Sequence, residues 1–243
     1  MGTDSSLLDV LLISAIPVAA ALLGATIAAV RPPGPHVRSG IQHFAAGVIF
    51  SVVAVELLPD VRRGHDPFEV AWTFAAGVVL MLVIDEVVKR YNHAGEHAGG
   101  GAPSPGQLIP IGVDLLIDGL LIGIALTAGL KQGMLLTAGL TLELFSLGLA
   151  MAITFAGTKM STRILAPTAI ACLMIVGALL GRVLLADASI HTLAGLLSFG
   201  CAALLFLVTE ELLIEAHESA DTAVTTAMFF LGFLIFLILG MLE

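Results

Sequence analysis

Long apolar stretches are the feature that most constrains how this chain can fold. Positions 10–30 and 223–242 contain no Asp, Glu, Lys or Arg. An α-helix needs about 20 mainly apolar residues to cross the hydrocarbon core of a bilayer, and eight segments reach that length. They lie near 7–30, 41–59, 68–88, 108–130, 133–157, 163–185, 191–213 and 222–242. The sequence therefore predicts an all-α, polytopic membrane protein with a single transmembrane domain of eight helices.

The overall composition excludes most other classes of protein. The 243 residues are 58% hydrophobic and 12% charged, which leaves too few charged groups to coat a soluble domain of this size. The apolar segments are too long, and alternate too little, for transmembrane β-strands. Cys172 and Cys201, the only cysteines, lie inside apolar segments, so neither a disulfide framework nor a Cys-rich zinc site is expected. With a net charge of −9 and no basic cluster, we expect cations and not nucleic acid as partners.

The basic residues predict an orientation in the cell membrane. Six of them fall in the connections after the first, third and fifth spans, and four fall on the opposite side. The six are Arg31, Arg38, Lys89, Arg90, Lys159 and Arg163, against Arg62, Arg63, Lys131 and Arg182. Because cytoplasmic loops carry an excess of Lys and Arg, this division predicts that both termini lie outside the cytoplasm.

The connection at 91–106 (YNHAGEHAGGGAPSPG) is polar and rich in Gly, Pro and Ser, with no hydrophobic periodicity. It therefore predicts a flexible loop. His93 and His97 give this loop a weak capacity to bind a metal, although two histidines make a poor site on their own. A solvated linker is the alternative interpretation.

Two apolar segments match each other without a gap. Residues 44–60 (FAAGVIFSVVAVELLPD) align with 199–215 (FGCAALLFLVTEELLIE), so that Glu56 meets Glu211. In the predicted orientation the second span runs outward and the seventh inward, which makes the pair an inverted repeat of the kind common in transporters. We expect a 3+2+3 arrangement of three helices, a central pair and three further helices. A chance match between two apolar segments is the alternative.

Three carboxylates lie deep inside the predicted fourth and fifth spans. Asp114 and Asp118 are four residues apart and share one helix face, and Glu143 lies at a similar depth in the next, antiparallel span. An ionisable residue in mid-membrane costs about 2.5 to 3.5 kcal/mol on insertion scales and usually faces a cavity, a partner or a substrate path. Neither predicted span contains a Lys or Arg to neutralise these acids, which predicts a divalent cation bound between them.

Two alternative interpretations of these acids do not involve a metal. In the first, the acids are protonated and hydrogen-bonded to the backbone or to hydroxyls such as those of Thr141 and Ser146. In the second, protonated acids form a proton relay across the membrane.

Further acids lie at the ends of the spans, where a cation would enter or leave. Glu56 and Asp60, at the outer end of the second span, form the predicted entrance. The predicted exit, at the inner end of the seventh span, comprises Glu211, Glu215, His217 and Glu218, grouped with Glu210, Asp85 and Glu86. His43, near the inner end of the second span, is a candidate further ligand. The alternative for all these groups is ordinary solvation at a membrane boundary.

The sequence carries no recognisable catalytic motif. It has no Ser/His/Asp grouping, nucleophile elbow, P-loop or H-E-x-x-H pattern. We therefore expect neither an enzyme nor a resident cofactor, and a divalent ion would act as the substrate.

Together these motifs resemble the ZIP family of divalent metal transporters over nearly the whole chain. The second span resembles the family's F-A-A-G-V followed by an acid or histidine before L-L-P, and TEELLIEAHE at 209–218 resembles its acidic, His-containing end of the seventh span. Residues 114–119 and 143–148 match the positions of its H-N-x-P-[ED]-G and Q-[ND]-x-P-E-G motifs. The resemblance implies eight spans in a three-two-three arrangement, termini outside the cytoplasm and a His-bearing loop after the third span.

Several positions depart from the family pattern. The family has two adjacent metal sites. The first would keep Asp114, Asp118 and Glu143, which we call the mid-membrane acids, but has Leu147 in place of a fourth carboxylate. The second would be lost, because Leu115 and Leu144 replace its Asn and Asp and the sixth span offers no acid over 164–181. Both motif prolines are also missing. The resemblance therefore implies a divergent variant with a single metal site.

The chemistry of the acids narrows the metal and the function only in part. A site built of carboxylates suits harder ions such as Mn²⁺, Fe²⁺ or Mg²⁺, although carboxylates also bind Zn²⁺. The leading hypothesis is a secondary transporter that moves a divalent metal ion toward the cytoplasm by alternating access. The alternatives are a non-transporting membrane metal sensor or scaffold, and a proton-coupled carrier of another small solute. The sequence leaves open the metal, the coupling ion and assembly as a homodimer.

Overall fold

The computed structural model describes residues 6–62, 66–95, 105–185, 190–219 and 222–242. These residues form eight long helices and contain no β-strand. The helices are α1 Leu7–Val30, α2 Pro35–Arg62, α3 Pro67–Gly95, α4 Pro105–Ala128, α5 Leu130–Thr154, α6 Met160–Leu184, α7 from Ile190 to Ala216, and α8 Ala223–Leu242. Each helix is long and apolar enough to cross a membrane, so the predicted all-α, multi-pass architecture is confirmed.

The helix boundaries differ from the predicted spans where the chain carries local signals. The Ser6 hydroxyl caps α1 by accepting a hydrogen bond from the Asp9 amide, and the Asp9 carboxylate accepts one from the Ser6 amide. α2 starts earlier than predicted, at Pro35, because proline suits the first position of a helix. α3 continues to Gly95, so the prediction that a loop starts at 91 is wrong: a helix can continue into water beyond its apolar residues. Residues 96–104 lie outside the described residues.

Hydrogen bonds between helix termini show which helix ends lie together. We call the end with the connections after α1, α3, α5 and α7 the His217 end, and the opposite end the Asp60 end. At the His217 end, Arg163 at the start of α6 donates to the Ala28 carbonyl near the end of α1. At the Asp60 end, Gln132 near the start of α5 donates to Asp60 near the end of α2. The start of α6 therefore lies beside the end of α1, and the start of α5 lies beside the end of α2.

Small residues bring the central helices into backbone contact. Gly24 of α1 and Gly148 of α5 lie so close to each other's helix that a Cβ atom on either would overlap a backbone carbonyl. Gly119 of α4 and Gly177 of α6 make the equivalent pair of contacts. Small residues are the usual means by which membrane helices approach closely, because lipid provides no hydrophobic driving force between helices. These contacts hold α4 and α5, which carry the mid-membrane acids, each against a supporting helix.

Two of the helices contain a π-helical turn. One spans Val52–Leu57 in α2, and the other spans Leu207–Leu212 in α7. They occupy matching positions in the aligned segments 44–60 and 199–215, and each turn ends in Glu-Leu. π-helical turns inside α-helices are rare and are frequently found at functional sites.

Two other pairs of helices pack in a similar way, α2 against α8 and α3 against α7. In the first pair the Phe44 carbonyl faces Gly232, and in the second the Phe199 carbonyl faces Gly77. Phe44 and Phe199 are the first residues of the two aligned segments. The same close contact thus occurs in both halves of the chain.

Candidate metal site

The structure brings Asp114 and Asp118 of α4 together with Glu143 of α5. One carboxylate oxygen of each lies within 4.8 Å of one from each of the other two. Two ligands on opposite sides of a divalent cation are roughly 4 to 5 Å apart, so small movements would let all three groups bind one ion. Among the described residues, this is the only group of three or more acids, histidines or cysteines with such spacing.

The two most buried of these acids have oxygens without a hydrogen-bond partner in the protein. Asp118 is 2% exposed and Glu143 is 5% exposed, and Asp118 Oδ2 and Glu143 Oε2 accept no hydrogen bond from the described residues. Buried polar groups are nearly always paired. The two hydroxyls considered as partners do not fill this role, because Thr141 donates to the Thr137 carbonyl and the Ser146 hydroxyl has no partner.

Three carboxylates this close to one another cannot all be charged without compensation. At the 4.8 Å that limits their spacing, two unit negative charges repel by about 3 to 4 kcal/mol with an effective dielectric constant near 20. α4 contains no Lys or Arg, and the only one in α5 is Lys131, far from Glu143 along the helix. A divalent cation would supply two positive charges and give the free oxygens a partner.

A cavity of about 360 Å³ reaches Asp114 and Glu143 from the His217 end, and Asp118 is not among its lining residues. Asp114, Glu143 and Ser146 line it together with acids from the ends of two other helices. These further acids are Asp85 of α3 and Glu210, Glu211 and Glu215 of α7. A cleft lined by one sign of charge raises the local concentration of ions of the opposite sign. The described residues therefore form an acidic route from one surface to the mid-membrane acids.

Apolar side chains fill the space between the mid-membrane acids and the Asp60 end. We call them the hydrophobic plug; they are at most 3% exposed and belong to one cluster, formed by Val53, Leu57, Ile122, Leu126, Leu136 and Leu140. Beyond the plug, α5 engages both predicted entrance acids. Lys131 Nζ lies 3.6 Å from Glu56 Oε2, and Gln132 Nε2 donates to Asp60 Oδ2 at 2.7 Å. The described residues thus close this end in the present conformation.

His43 is not brought to the mid-membrane acids. It is 3% exposed, and its Nδ1 donates to the Ser39 carbonyl at 2.9 Å. Its ring centre lies 5.1 Å from that of His217. His43 therefore belongs to the His217 end, with the histidine that follows α7.

The predicted exit residues have different surroundings. Glu211 is exposed and lines the cavity. Glu215 also lines the cavity, but it accepts a hydrogen bond from Gln42 Nε2 at 2.5 Å. Glu218 lies in the turn after α7 and pairs with Arg38 at 3.3 Å, with 67% of its side chain exposed. Of the four predicted exit residues, the structure therefore brings Glu211 and Glu215 to the cavity, where Glu210 of the same helix joins them.

The region around the predicted loop offers no described metal ligands beyond the cavity acids. His93 lies in the last turns of α3, and its side chain and the whole of His97 lie outside the described residues. Asp85 accepts a hydrogen bond from Lys89 Nζ at 2.5 Å, and this bond raises the pKa of the exposed Lys89 amine.

The leucines that depart from the family pattern pack as core residues. Leu115 and Leu144 are 0% exposed in the main hydrophobic cluster, and Leu147 lines the cavity. No side-chain oxygen or nitrogen therefore stands at these three positions.

Sequence reasoning missed the polar residues that engage the end acids. Lys131 and Gln132 reach Glu56 and Asp60 from another helix, and Gln42 reaches Glu215 in the same way. The one signal was their position, with Lys131 and Gln132 in the first turn of α5 and Gln42 in the second turn of α2, near acids predicted at the same membrane boundary.

Comparisons with known proteins do not assign the chain to a family. No protein-family model matches it, and no curated protein matches it significantly. The function therefore has to be argued from the site.

Proposed function

We propose that this protein is a secondary transporter that carries a divalent metal ion, bound by Asp114, Asp118 and Glu143. The observation that carries the proposal is a pair of buried acids with unpartnered oxygens, Asp118 and Glu143, of which Glu143 lines an acidic cavity that reaches the His217 end. Acids in mid-membrane are costly and usually mark a substrate or ion path. A site with a purely structural role would gain nothing from such an acidic route to the surface.

Alternating access describes how the ion would cross. In the present conformation the cavity is open at the His217 end, and the hydrophobic plug closes the Asp60 end. In the second conformation the plug would part, Lys131 would leave Glu56, and the acids at the Asp60 end would form the entrance. Glu211 and Glu215, with His217 and Glu218 beyond them, would form the exit.

An inverted repeat would provide both conformations from one fold. Under this proposal α1–α3 correspond to α6–α8, and α4 and α5 form the central pair. The matching π-helical turns support it. The matching contacts of Phe44 with Gly232 and of Phe199 with Gly77 also support the inverted repeat. If α1–α3 and α6–α8 exchanged their conformations, the His217 end would close and the Asp60 end would open.

The resemblance to the ZIP family supports the same proposal. The three acids stand at the motif positions of the fourth and fifth spans, and the buried Leu115 and Leu144 agree with a single metal site. The division of Lys and Arg favours a cytoplasmic His217 end, so the ion would move inward.

Uptake into proteoliposomes tests this function. With Mn²⁺ outside and no ATP, the wild-type protein should take up the ion. The variants Glu143→Gln and Asp114→Asn should lower the initial rate by about 100-fold, because each removes a charged ligand. The matched control is Asp9→Asn, which removes the charge of an exposed acid in the first turn of α1 whose carboxylate accepts hydrogen bonds from Ser6. It should retain the wild-type rate within about twofold.

The same measurements separate the alternatives. Unchanged uptake in both site variants would rule out the proposed ligands. Metal binding in detergent without flux into vesicles would indicate a sensor or scaffold. Flux of another solute that depends on acid and needs no metal would indicate a proton-coupled carrier.

A further inference from the structure

The hydroxyl of Ser146 is a buried polar group that the fold itself does not use. Ser146 is 2% exposed, and its Oγ has no hydrogen-bond partner among the described residues. It follows Glu143 by three positions on α5 and therefore lies on the same side of the helix. It also lines the same cavity as Asp114 and Glu143. Its oxygen is thus available beside the mid-membrane acids.

Other hydroxyls in the spans behave differently. Ser and Thr in helices often donate to the carbonyl four residues earlier, as Ser14 does to Val10 at 2.7 Å. The same bond is made by Thr26, Thr73, Thr127, Thr137, Thr141 and Thr168. Ser51 is also buried without a partner, but it does not line the cavity. Ser146 alone among these residues combines burial, a free oxygen and a place beside the acids.

We infer that Ser146 supplies a fourth oxygen ligand to the metal bound by Asp114, Asp118 and Glu143, and that this all-oxygen set admits hard divalent cations such as Mn²⁺ as substrate. The inference rests on the proposed function and names the substrate class of the same site. Oxygen ligands suit Mg²⁺, Ca²⁺ and Mn²⁺, whereas sulfur and imidazole favour softer ions.

The surroundings of the site agree with this choice of ligand. His43 lies against His217 and not against the acids. No cysteine lines the cavity, and Cys201 is buried elsewhere in the core. Among the described residues that line the cavity, the side-chain oxygens come from carboxylates and the Ser146 hydroxyl, no side chain offers nitrogen, and the one sulfur is the Met81 thioether.

Exchanging this one oxygen for sulfur tests the inference. Binding of MnCl₂ and CdCl₂ is measured by calorimetry on the purified full chain in detergent. Ser146→Ala should weaken Mn²⁺ binding by about tenfold. Ser146→Cys should raise the affinity for Cd²⁺ relative to Mn²⁺ by about tenfold, because a thiolate is a soft ligand. With Co²⁺, the same variant should gain a near-ultraviolet thiolate-to-metal absorption band.

A matched control variant is Ser14→Cys. Ser14 is equally buried, at 0% exposed, but its hydroxyl is already bonded to the Val10 carbonyl on α1. This variant should bind both metals as the wild type does and show no new absorption. Cysteine is close to serine in size, so Ser146→Cys still tests the inference if the alanine variant does not fold.

The results distinguish failure of the Ser146 inference from failure of the proposed function. The inference is overturned if Ser146→Ala binds Mn²⁺ normally and Ser146→Cys changes neither the metal preference nor the absorption. In that case the transport proposal still stands, provided that Glu143→Gln abolishes binding. If the wild-type protein binds no divalent cation at all, both proposals fail.

Discussion

The two ends of this molecule carry matching acids in opposite settings. Glu56 at the Asp60 end pairs with Lys131 beyond the hydrophobic plug, whereas Glu211 at the His217 end lines an open cavity. Both acids lie in a π-helical turn and precede a buried leucine, Leu57 or Leu212. The local sequence and backbone are therefore alike, and the difference comes from the helices packed around them.

This comparison shows what separates a closed acidic site from an open one. The Lys131 ammonium stands where an entering cation would interact with Glu56, so a tethered charge of the protein takes the place of the substrate. Lys131 also donates to the Gly240 carbonyl of α8 at 3.1 Å, which links three helices at this end. A metal ion would have to displace this contact before it could approach Glu56.

The largest expected effect is a difference in chemical accessibility between the two matching leucines. In a chain without the native cysteines (Cys172→Ser, Cys201→Ser), Leu212→Cys should react faster than Leu57→Cys with a charged thiol reagent in permeabilised vesicles. A minor conformation is typically populated at 0.1 to 10%, so the rates should differ by about ten- to a thousandfold. Equal rates would show that the two ends are equally open, and the comparison would fail.

Removal of the Lys131 ammonium should have an intermediate effect on the labelling rate at the Asp60 end. Lys131→Met leaves Glu56, which is 13% exposed, without its ion-pair partner. The ion pair contributes about 1 kcal/mol to the present conformation. Its loss should favour the conformation that is open at the Asp60 end and raise the labelling rate of Leu57→Cys about fivefold. Lys131→Arg keeps the positive charge, so Leu57→Cys should still be labelled slowly in that variant.

A double variant checks the cause of that effect. Adding Glu56→Gln to Lys131→Met removes both charges, so the two changes should not be additive. Additive effects would indicate that Lys131 acts through its packing and not through Glu56.

The smallest effect is expected at the surface of the His217 end. Arg38→Ala removes the pair with Glu218, whose side chain is 67% exposed, and such pairs contribute about 0.5 kcal/mol or less. Thermal unfolding in detergent should shift by less than about 2 °C, and labelling of Leu212→Cys should stay within about twofold of the parent. A large fall in the unfolding temperature or in the labelling rate of Leu212→Cys would mean that this pair helps to hold the cavity open.

The helices and the depth of the acids could be predicted from the sequence because the bilayer imposes a length. Helix spacing relates Asp114 to Asp118, and the antiparallel order of α4 and α5 brings Glu143 to the same depth. These are local or nearest-neighbour relations, which sequence patterns record. The start of α2 at Pro35 also had a local signal, the proline itself.

The remaining features depend on contacts between helices that are distant in sequence. Lys131 stands at a membrane boundary, where lysine is ordinary, and only the packing of α2, α5 and α8 brings it to Glu56. The free hydroxyl of Ser146 depends in the same way on the side chains around it. The π-helical turns have no recognised sequence signature, and Tyr91–Gly95 is helical despite being polar.

The two π-helical turns also bear on how this chain tolerates insertions and deletions. An α-helix rotates by about 100° per residue, and a π-helical turn accommodates one extra residue without disturbing the helix on either side. Deleting one residue within Leu207–Leu212 would restore a plain α-helix and keep Glu215 beyond it on the side of the cavity, whereas the same deletion in an α-helical part of α7 would rotate Glu215 by about 100°. A change of length by one residue is therefore easier to accommodate at these two turns than elsewhere in α2 and α7.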